Sequence, residues 1–246
     1  MKNKGIPILI NDFNKFIDTN IEPSIRELQN ITSNTNRSHL QRLVYTNLVD
    51  RFDSLIDLLL IECASEKSAF NDKIMSSMKD TPIDKRYLFS ILLSNDIAEV
   101  VKEELEGIVK NGFLRKRHSL KLRTLLFDCF DFASNEIDKP RVNADGRIHS
   151  TYKQSTAAKK KIPATIIGYA DWVYSRRNTL VHNFGKLNLN QHDFDYIKSN
   201  FGTTPSKSVG IKIESITSLK KFYKYLMSEI TDKLDAREGL SKISQE

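Results

Sequence analysis

The chain of 246 residues is long enough to bury a hydrophobic core, and its 39% hydrophobic and 28% charged residues exclude a wholly disordered protein. The formal net charge of +7 favours either a polyanionic partner or a solvated basic surface. No apolar run is long enough to span a membrane, and the N-terminus lacks a convincing signal peptide, so we expect a cytoplasmic protein without membrane binding. Cys63 and Cys129 lie among apolar neighbours, which favours two reduced core thiols over a disulfide.

The first third of the chain predicts two helical segments. An N-terminal arm of about residues 1–35 carries a helical pattern over 8–31 that Pro23 is expected to interrupt. A second pattern runs over 38–67, where apolar residues recur every three or four positions. We expect one buried stripe on that helix, made of Leu40, Leu43, Val44, Leu48, Phe52, Leu55, Leu59 and Leu60.

The middle third predicts more helices and two basic segments. A helix or helix pair over 84–110 should end at Asn111-Gly112, and another buried helix should reach about residue 134. The segment 115–123 is basic without an acidic residue, and 139–161 has the composition of a mobile surface loop. That loop is either a solvated insertion or a flap that grips phosphates. The candidate RNA-binding residues of these segments are Arg115, Lys116, Arg117, Arg141, Arg147, Lys159, Lys160 and Lys161.

The last third predicts a helix from about residue 163 to a stop at Gly185, a short helix over 190–200 and a final helix over 216–234. Alternating apolar residues predict a short β-hairpin or strand near 203–214. We find no repeat and no clear linker, so the fold class predicted for residues 1–246 is a single all-α domain.

Three polar residues near the end of the 163–185 helix form the strongest candidate site. Asn178 and His182 are four positions apart and therefore share a face, with Arg177 beside them. Histidine can transfer protons near neutral pH, and the planar guanidinium of arginine can hold two phosphate oxygens. These are the groups that cleavage of RNA by its own 2′-hydroxyl requires. Arg176 is expected to be a phosphate or surface contact.

The motif resembles a known family. Arg177-Asn178, three further residues and His182 match the Arg-x4-6-His signature of HEPN domains, and the helical frame over residues 38–236 is also similar to that family. The resemblance implies a helical bundle and a metal-independent endoribonuclease that acts as a homodimer, without a cofactor. It also implies a toxin–antitoxin or phage-defence system, in which an antitoxin or another defence protein is a partner. In this chain Arg177, Asn178 and His182 take the catalytic positions.

Other interpretations of these residues stay open at this point. His182 is also a favourable helix-terminal imidazole, with Arg177 as a surface arginine, and the chain would then be an interaction module that does not cut RNA. The remaining histidines are scattered without metal-ligand spacing, so no metal site is expected, and His118 is either solvated or in contact with RNA. Tyr169 and Trp172 favour core or dimer packing over base stacking, whereas Tyr152 is a better stacking candidate.

Overall fold

Within residues 5–65, 69–78, 85–150, 161–182 and 187–243, which are the residues that the structure describes, the computed structural model contains eleven α-helices and no β-sheet. The prediction of an all-α fold is confirmed. The helices are α1 (Gly5–Phe16), α2 (Glu22–Asn30), α3 (Asn34–Ala64), α4 (Ala69–Met78), α5 (Lys85–Leu93), α6 (Ile97–Gly112), α7 (His118–Thr124), α8 (Ser134–Asp138), α9 (Ile166–His182), α10 (Gln191–Phe201) and α11 (Ile213–Ile243).

The central helix is α3, which contacts α1, α2, α4, α6, α7, α9 and α11. The Ser33 side chain caps its first turn by accepting a hydrogen bond from the backbone N–H of Asn36. The predicted buried stripe is confirmed from Leu48 onward, because these residues meet neighbouring helices. The stripe prediction is wrong for Leu40 and Leu43, which are exposed because Gln41 and Tyr45 take the buried face of these turns.

The N-terminal segment is a structural part of the core. Ile6, Ile10 and Phe13 of α1 are buried, and the Phe13 ring contacts Phe52 and Tyr223. Pro23 does not break the segment, because residues 17–21 form a π-helical turn that leads directly into α2. Proline has no N–H to donate to the preceding turn, so this wider turn accommodates it without a separate linker.

Helices α5 and α6 confirm the predicted helix pair, which Asp96 separates by capping the first turn of α6. Their apolar side chains remain largely exposed. Leu92 and Leu93 are 76% and 80% accessible, and Leu88, Phe89, Ile97 and Val101 of the same two helices are also exposed. The helical pattern therefore predicted these elements correctly but did not place this face in the core.

The helix predicted to reach residue 134 is shorter than expected, although most of its predicted core residues are buried, namely Leu122, Leu125, Leu126, Phe130 and Phe132. Helix α7 passes into a π-helical turn over 125–129 and ends there, while Leu120 and Phe127 are exposed. Cys63 and Cys129 are both buried and form no disulfide, as predicted. Burial and the contact with Cys63 raise the pKa of the Cys129 thiol well above its usual range, which keeps that thiol protonated and unreactive.

The predicted strand near 203–214 is reduced to one antiparallel bridge between Asn188 and Ser208. Backbone bonds from Leu189 to Lys207 and from Val209 to Leu187 flank that bridge. The next residues lead directly into α11, which begins at Ile213. The alternation of Val209 and Ile211 is therefore an extended approach to a helix, with both side chains buried.

Residues 139–150, the first half of the basic insertion, form an ordered turn rather than the predicted mobile loop. Val142 and Ile148 are buried and form an antiparallel bridge. Gly146, at the turn, has a φ of +82° and lies against the backbone of Ser218 in α11. Both features require glycine, since a Cβ there would lie 1.9 Å from the Ser218 carbonyl oxygen. The residues 151–160, including Tyr152, Lys159 and Lys160, lie outside the described residues.

We expect Gly146→Ala to destabilise the fold by about 3 kcal/mol, because a positive φ and a backbone clash act together. Gly107→Ala is the matched control, since a Cβ at that position would have no other atom within 4 Å and alanine favours a helix. The measurement is the free energy of unfolding in urea. Equal values for the two variants would show that the turn does not dock on α11.

Candidate active site at the end of helix α9

Helix α9 runs through the core and emerges at its last turn. Ile166, Tyr169 and Val173 are buried on its core side, and burial continues to Thr179. Val181 and His182, the last two described residues of the helix, are exposed. Gly185, the predicted stop, lies outside the described residues, whereas the described helix ends at His182.

The three motif residues lie together at this helix end. Nη1 of Arg177 is 3.1 Å from Oδ1 of Asn178 and 3.5 Å from Nε2 of His182. A guanidinium only donates hydrogen bonds, so an imidazole nitrogen is the one group of His182 that could accept from Arg177 here. His182 therefore places its Nε2 at the surface, beside the positive charge of Arg177.

A fourth residue, Asp50 of α3, belongs to this group. Its carboxylate accepts a bond of 2.5 Å from Nε of Arg177, whose side chain is 19% exposed. Within the described chain, Nη2 of Arg177 has no protein acceptor and is left to bind another group. The sequence alone did not reveal Asp50, because 127 residues separate it from Arg177 and no local pattern connects them.

A layer of two stacked rings, the partly buried Tyr174 and the buried His118, supports Arg177. Its guanidinium lies 5.8 Å from the ring centre of Tyr174, and Tyr174 stacks on His118 at 4.5 Å with only 6° between the planes. His118 is 2% exposed, so both interpretations of it as a surface residue are wrong. Its Nδ1 lies 2.8 Å from Asp53, which orients the imidazole. Burial raises the pKa of Tyr174, so its phenol remains neutral beneath the arginine.

Two carboxylates of α3 form ion pairs with Lys121 of α7, next to these rings. Lys121 is buried and lies 2.9 Å from Asp53 and 2.7 Å from Asp57. Burial would raise the pKa of Asp53, but the bonds from His118 and Lys121 lower it to about 2. For Asp57 burial dominates over Lys121, and its pKa is raised. Asp53 is therefore ionised, and it is the carboxylate that both His118 and Lys121 contact.

We expect Asp53→Asn to lower the free energy of unfolding by about 2 to 3 kcal/mol at neutral pH, because Lys121 loses a buried partner. The folded-state pKa of Asp53 is depressed, so its contribution is present above the usual value of 3.8 and is lost as the pH falls towards about 2. Urea unfolding of both proteins between pH 7 and pH 2 measures this difference.

The difference in the free energy of unfolding between wild type and Asp53→Asn should shrink by about 2 kcal/mol as the pH falls from 7 to 2. Ionisable groups common to both proteins cancel in this difference. Asp138→Asn is the control, because its ion pair with Arg123 is 43% exposed on both sides and should contribute less than about 1 kcal/mol. A constant difference between wild type and Asp53→Asn at every pH would contradict the assignment.

Arg117, a predicted RNA contact, is bound inside the fold. Its guanidinium donates two bonds, of 2.9 and 2.8 Å, to Asp171 and lies 2.9 Å from Asp193. It also stacks at 3.8 Å on the Tyr196 ring. Arg117 thereby connects α7, α9 and α10, and this placement favours a structural role over RNA binding.

The other basic candidates divide into two groups. Arg141 is held by Glu229 at 2.5 Å and by the carbonyls of Glu136 and His149, so it is also internal. Arg115, Lys116, Arg147 and Lys161 are exposed, although Arg147 pairs with Asp145 at 3.0 Å. These four are the predicted RNA contacts that the structure leaves at the surface.

Arg176 is 9% exposed and faces away from the motif. Nη2 of Arg176 donates to the Gly210 carbonyl at 2.5 Å, and its guanidinium lies 4.6 Å from the Trp172 ring centre. It lines a cavity of about 240 Å³ together with Trp172 and Tyr169. The expected surface phosphate contact is therefore replaced by a buried position.

No group of histidine, cysteine and carboxylate side chains in the described chain could hold a metal ion. The described helices also include none with the length and hydropathy needed to cross a membrane. No protein-family model, curated protein or solved structure matches this chain. The resemblance to HEPN domains therefore stays a prediction that depends on the motif and its helical frame.

Proposed function

We propose that this protein is a metal-independent endoribonuclease of the HEPN type, with its site at the end of α9. The observation that carries the proposal is the convergence of Arg177 and His182 on an exposed helix end, where Nη1 and Nε2 are 3.5 Å apart. Asn178 accepts a bond from the same guanidinium. The imidazole is exposed and the Arg177 side chain is 19% exposed, so a strand of RNA at this helix end would meet an adjacent imidazole and guanidinium.

In the proposed reaction, Nε2 of His182 removes the proton of the RNA 2′-hydroxyl. The 2′-oxygen attacks phosphorus, and the bond from phosphorus to the 5′-oxygen breaks. Arg177 neutralises the phosphate oxygens through its remaining Nη2 donors, and Asn178 helps to orient the guanidinium. The departing 5′-oxygen takes a proton from an acid, so the products are a 2′,3′-cyclic phosphate and a 5′-hydroxyl.

The acid in this scheme comes from a second copy of the chain. One motif supplies one histidine, and a histidine that has just accepted a proton lies on the attacking side of phosphorus. A homodimer that places two α9 ends across one cleft supplies His182 of the partner subunit as the acid. Arg115, Lys116, Arg147 and Lys161 are the exposed basic residues available to contact the RNA backbone.

The test is incubation of the purified full chain with a defined transcript in EDTA, followed by mapping of the cut ends. The proposal predicts cleavage with 2′,3′-cyclic phosphate and 5′-hydroxyl ends. Sedimentation at several protein concentrations shows whether activity follows the dimer. Intact RNA at all protein concentrations, or cleavage that requires a metal, would overturn it.

A second function, a non-cutting interaction module, is favoured by a different observation. The exposed apolar surface of α5 and α6, which includes Phe89, Leu92 and Leu93, is suited to contact with another protein. Under this alternative the Arg177–Asp50 ion pair only joins α9 to α3. Either function fits a cytoplasmic toxin–antitoxin or defence complex, in which an antitoxin or another defence protein binds this chain. An assay of RNA cleavage distinguishes the endoribonuclease from the interaction module.

A further inference from the structure

The cavity beside α9 contains a charge that the fold does not neutralise. Arg176 is 9% exposed, and no carboxylate among the described residues lies within 4.0 Å of its guanidinium. Its one hydrogen bond within the described chain goes from Nη2 to the Gly210 carbonyl. The other four of its five N–H donors have no acceptor among the described residues, and they are not sealed from solvent, so a ligand in the open cavity could accept from them. The cavity therefore suits a ligand that has several hydrogen-bond acceptors.

The walls of this cavity are aromatic. Trp172 and Tyr45 flank the Arg176 guanidinium at 4.6 and 5.7 Å from their ring centres, and Tyr169 lines the same space. Burial raises the pKa of Tyr45 to about 12, so its phenol stays neutral, and it already donates to the Val173 carbonyl. Flat apolar walls around a fixed guanidinium favour a planar molecule.

The rim of the cavity carries the opposite charge. Glu214, at the start of α11, is exposed and lines the cavity, but it is not within ion-pair distance of Arg176. Ser218 contributes a hydroxyl one turn further along α11. The ligand should therefore present acceptors to Arg176 and donors to Glu214. At about 240 Å³, the cavity is smaller than the roughly 300 to 1,000 Å³ of sites for drug-sized molecules.

We propose that this cavity binds a guanine base. Guanine offers the O6 and N7 acceptors that arginine binds with two N–H groups, and its N1 and N2 hydrogens suit the Glu214 carboxylate. Adenine presents an amino group where O6 would be and an acceptor at N1, so both charged residues oppose it. The base comes from a free nucleotide or from an RNA strand. The site is distinct from the Arg177–His182 group, and its occupancy does not require RNA cleavage.

Trp172 is the only tryptophan of the chain and lines the cavity, so its fluorescence reports binding at this site. The experiment titrates the full-length protein with GMP and, separately, with AMP, which has the same phosphate and a different base. Excitation at the red edge of indole absorption limits absorption by the bases. We expect GMP to quench Trp172 saturably and to bind at least tenfold more tightly than AMP.

Two variants locate the contact, and a third is the control. Glu214→Lys should weaken GMP binding at least tenfold, and because Glu214 is exposed, the fold should tolerate the change. Glu104→Lys makes the same charge change on the exposed surface of α6 and should leave the affinity unchanged. Arg176→Lys keeps the charge but loses the planar pair of donors, and should remove the preference for GMP over AMP.

A further pair of ligands distinguishes the source of the base. DNA oligonucleotides of thymidine with one central guanine or one central adenine lack the 2′-hydroxyl and cannot be cut by its attack. Quenching by GMP assigns the cavity to a free nucleotide, and quenching by the guanine oligonucleotide alone assigns it to a base within a strand. No quenching by either, equal binding of GMP and AMP, or wild-type affinity in Glu214→Lys would overturn the proposal.

Discussion

Replacing His182 with alanine should reduce metal-free RNA cleavage by about 10² to 10⁴-fold, the usual contribution of a general acid or base. In a dimer the substitution removes both the base and the acid, so we expect the upper part of that range. His182 is exposed at the end of α9, and its contact with Arg177 is long, so the free energy of unfolding should change by less than about 0.5 kcal/mol.

The matched control is His192→Ala, because His192 is also exposed, with 82% of its side chain accessible, and lies on α10 away from the motif. This variant should cut RNA at the wild-type rate. A rate for His182→Ala within threefold of wild type would exclude this imidazole from the reaction. Loss of cleavage in both variants would instead indicate a general sensitivity of the assay to surface changes.

Arg177→Lys should reduce cleavage by about 10² to 10³-fold while keeping the positive charge and the ion pair with Asp50. Lysine has no planar fork, so it cannot hold Asp50 with one N–H group and a phosphate oxygen with another fixed in the same plane, as Nε and Nη2 of arginine could. Arg26→Lys is the control and should change the rate little, because the Arg26 side chain is 75% exposed on α2 and has no part in the proposed site. The measurement is the single-turnover rate on one transcript.

Asp50 is a positioning residue under this proposal, since its carboxylate fixes Nε of Arg177. Asp50→Asn should lower the rate about tenfold in the wild-type background and much less in the Arg177→Lys background, because the two residues act through one guanidinium. Asp50→Glu should restore part of the activity. Equal losses in both backgrounds would show that Asp50 acts only through general stability.

The local pattern of the sequence determined the fold class and most helices. Hydrophobic periodicity located α3, the α5–α6 pair, α9 and α10, because a helix repeats every 3.6 residues whatever surrounds it. The same periodicity placed Asn178 and His182 on one face, with Arg177 beside them, and the distances in the structure agree with that arrangement. These features depend on neighbours within one or two turns of the chain.

Periodicity did not reveal how much of each apolar face would be covered. Leu40, Leu43 and the α5–α6 residues have the spacing of a buried stripe but remain exposed, because no described helix packs over them. Conversely, His118 lies in a basic segment and yet is buried, since α3 and α9 enclose it. Burial depends on which helices meet, and that information is not local.

Only the tertiary structure determined which basic side chains are paired with carboxylates. The 115–123 segment contains no acid, yet Arg117 and Lys121 are neutralised by carboxylates from other helices, and Arg141 is neutralised by Glu229. The pairing of Asp50 with Arg177, and the position of Arg176 in a cavity without a carboxylate partner among the described residues, arise in the same way. The energy of an ion pair depends on the distance between the two charges, and for these residues that distance is set by how the helices pack. Hydrophobic periodicity determines the helices themselves but does not determine which charged residues remain available for binding.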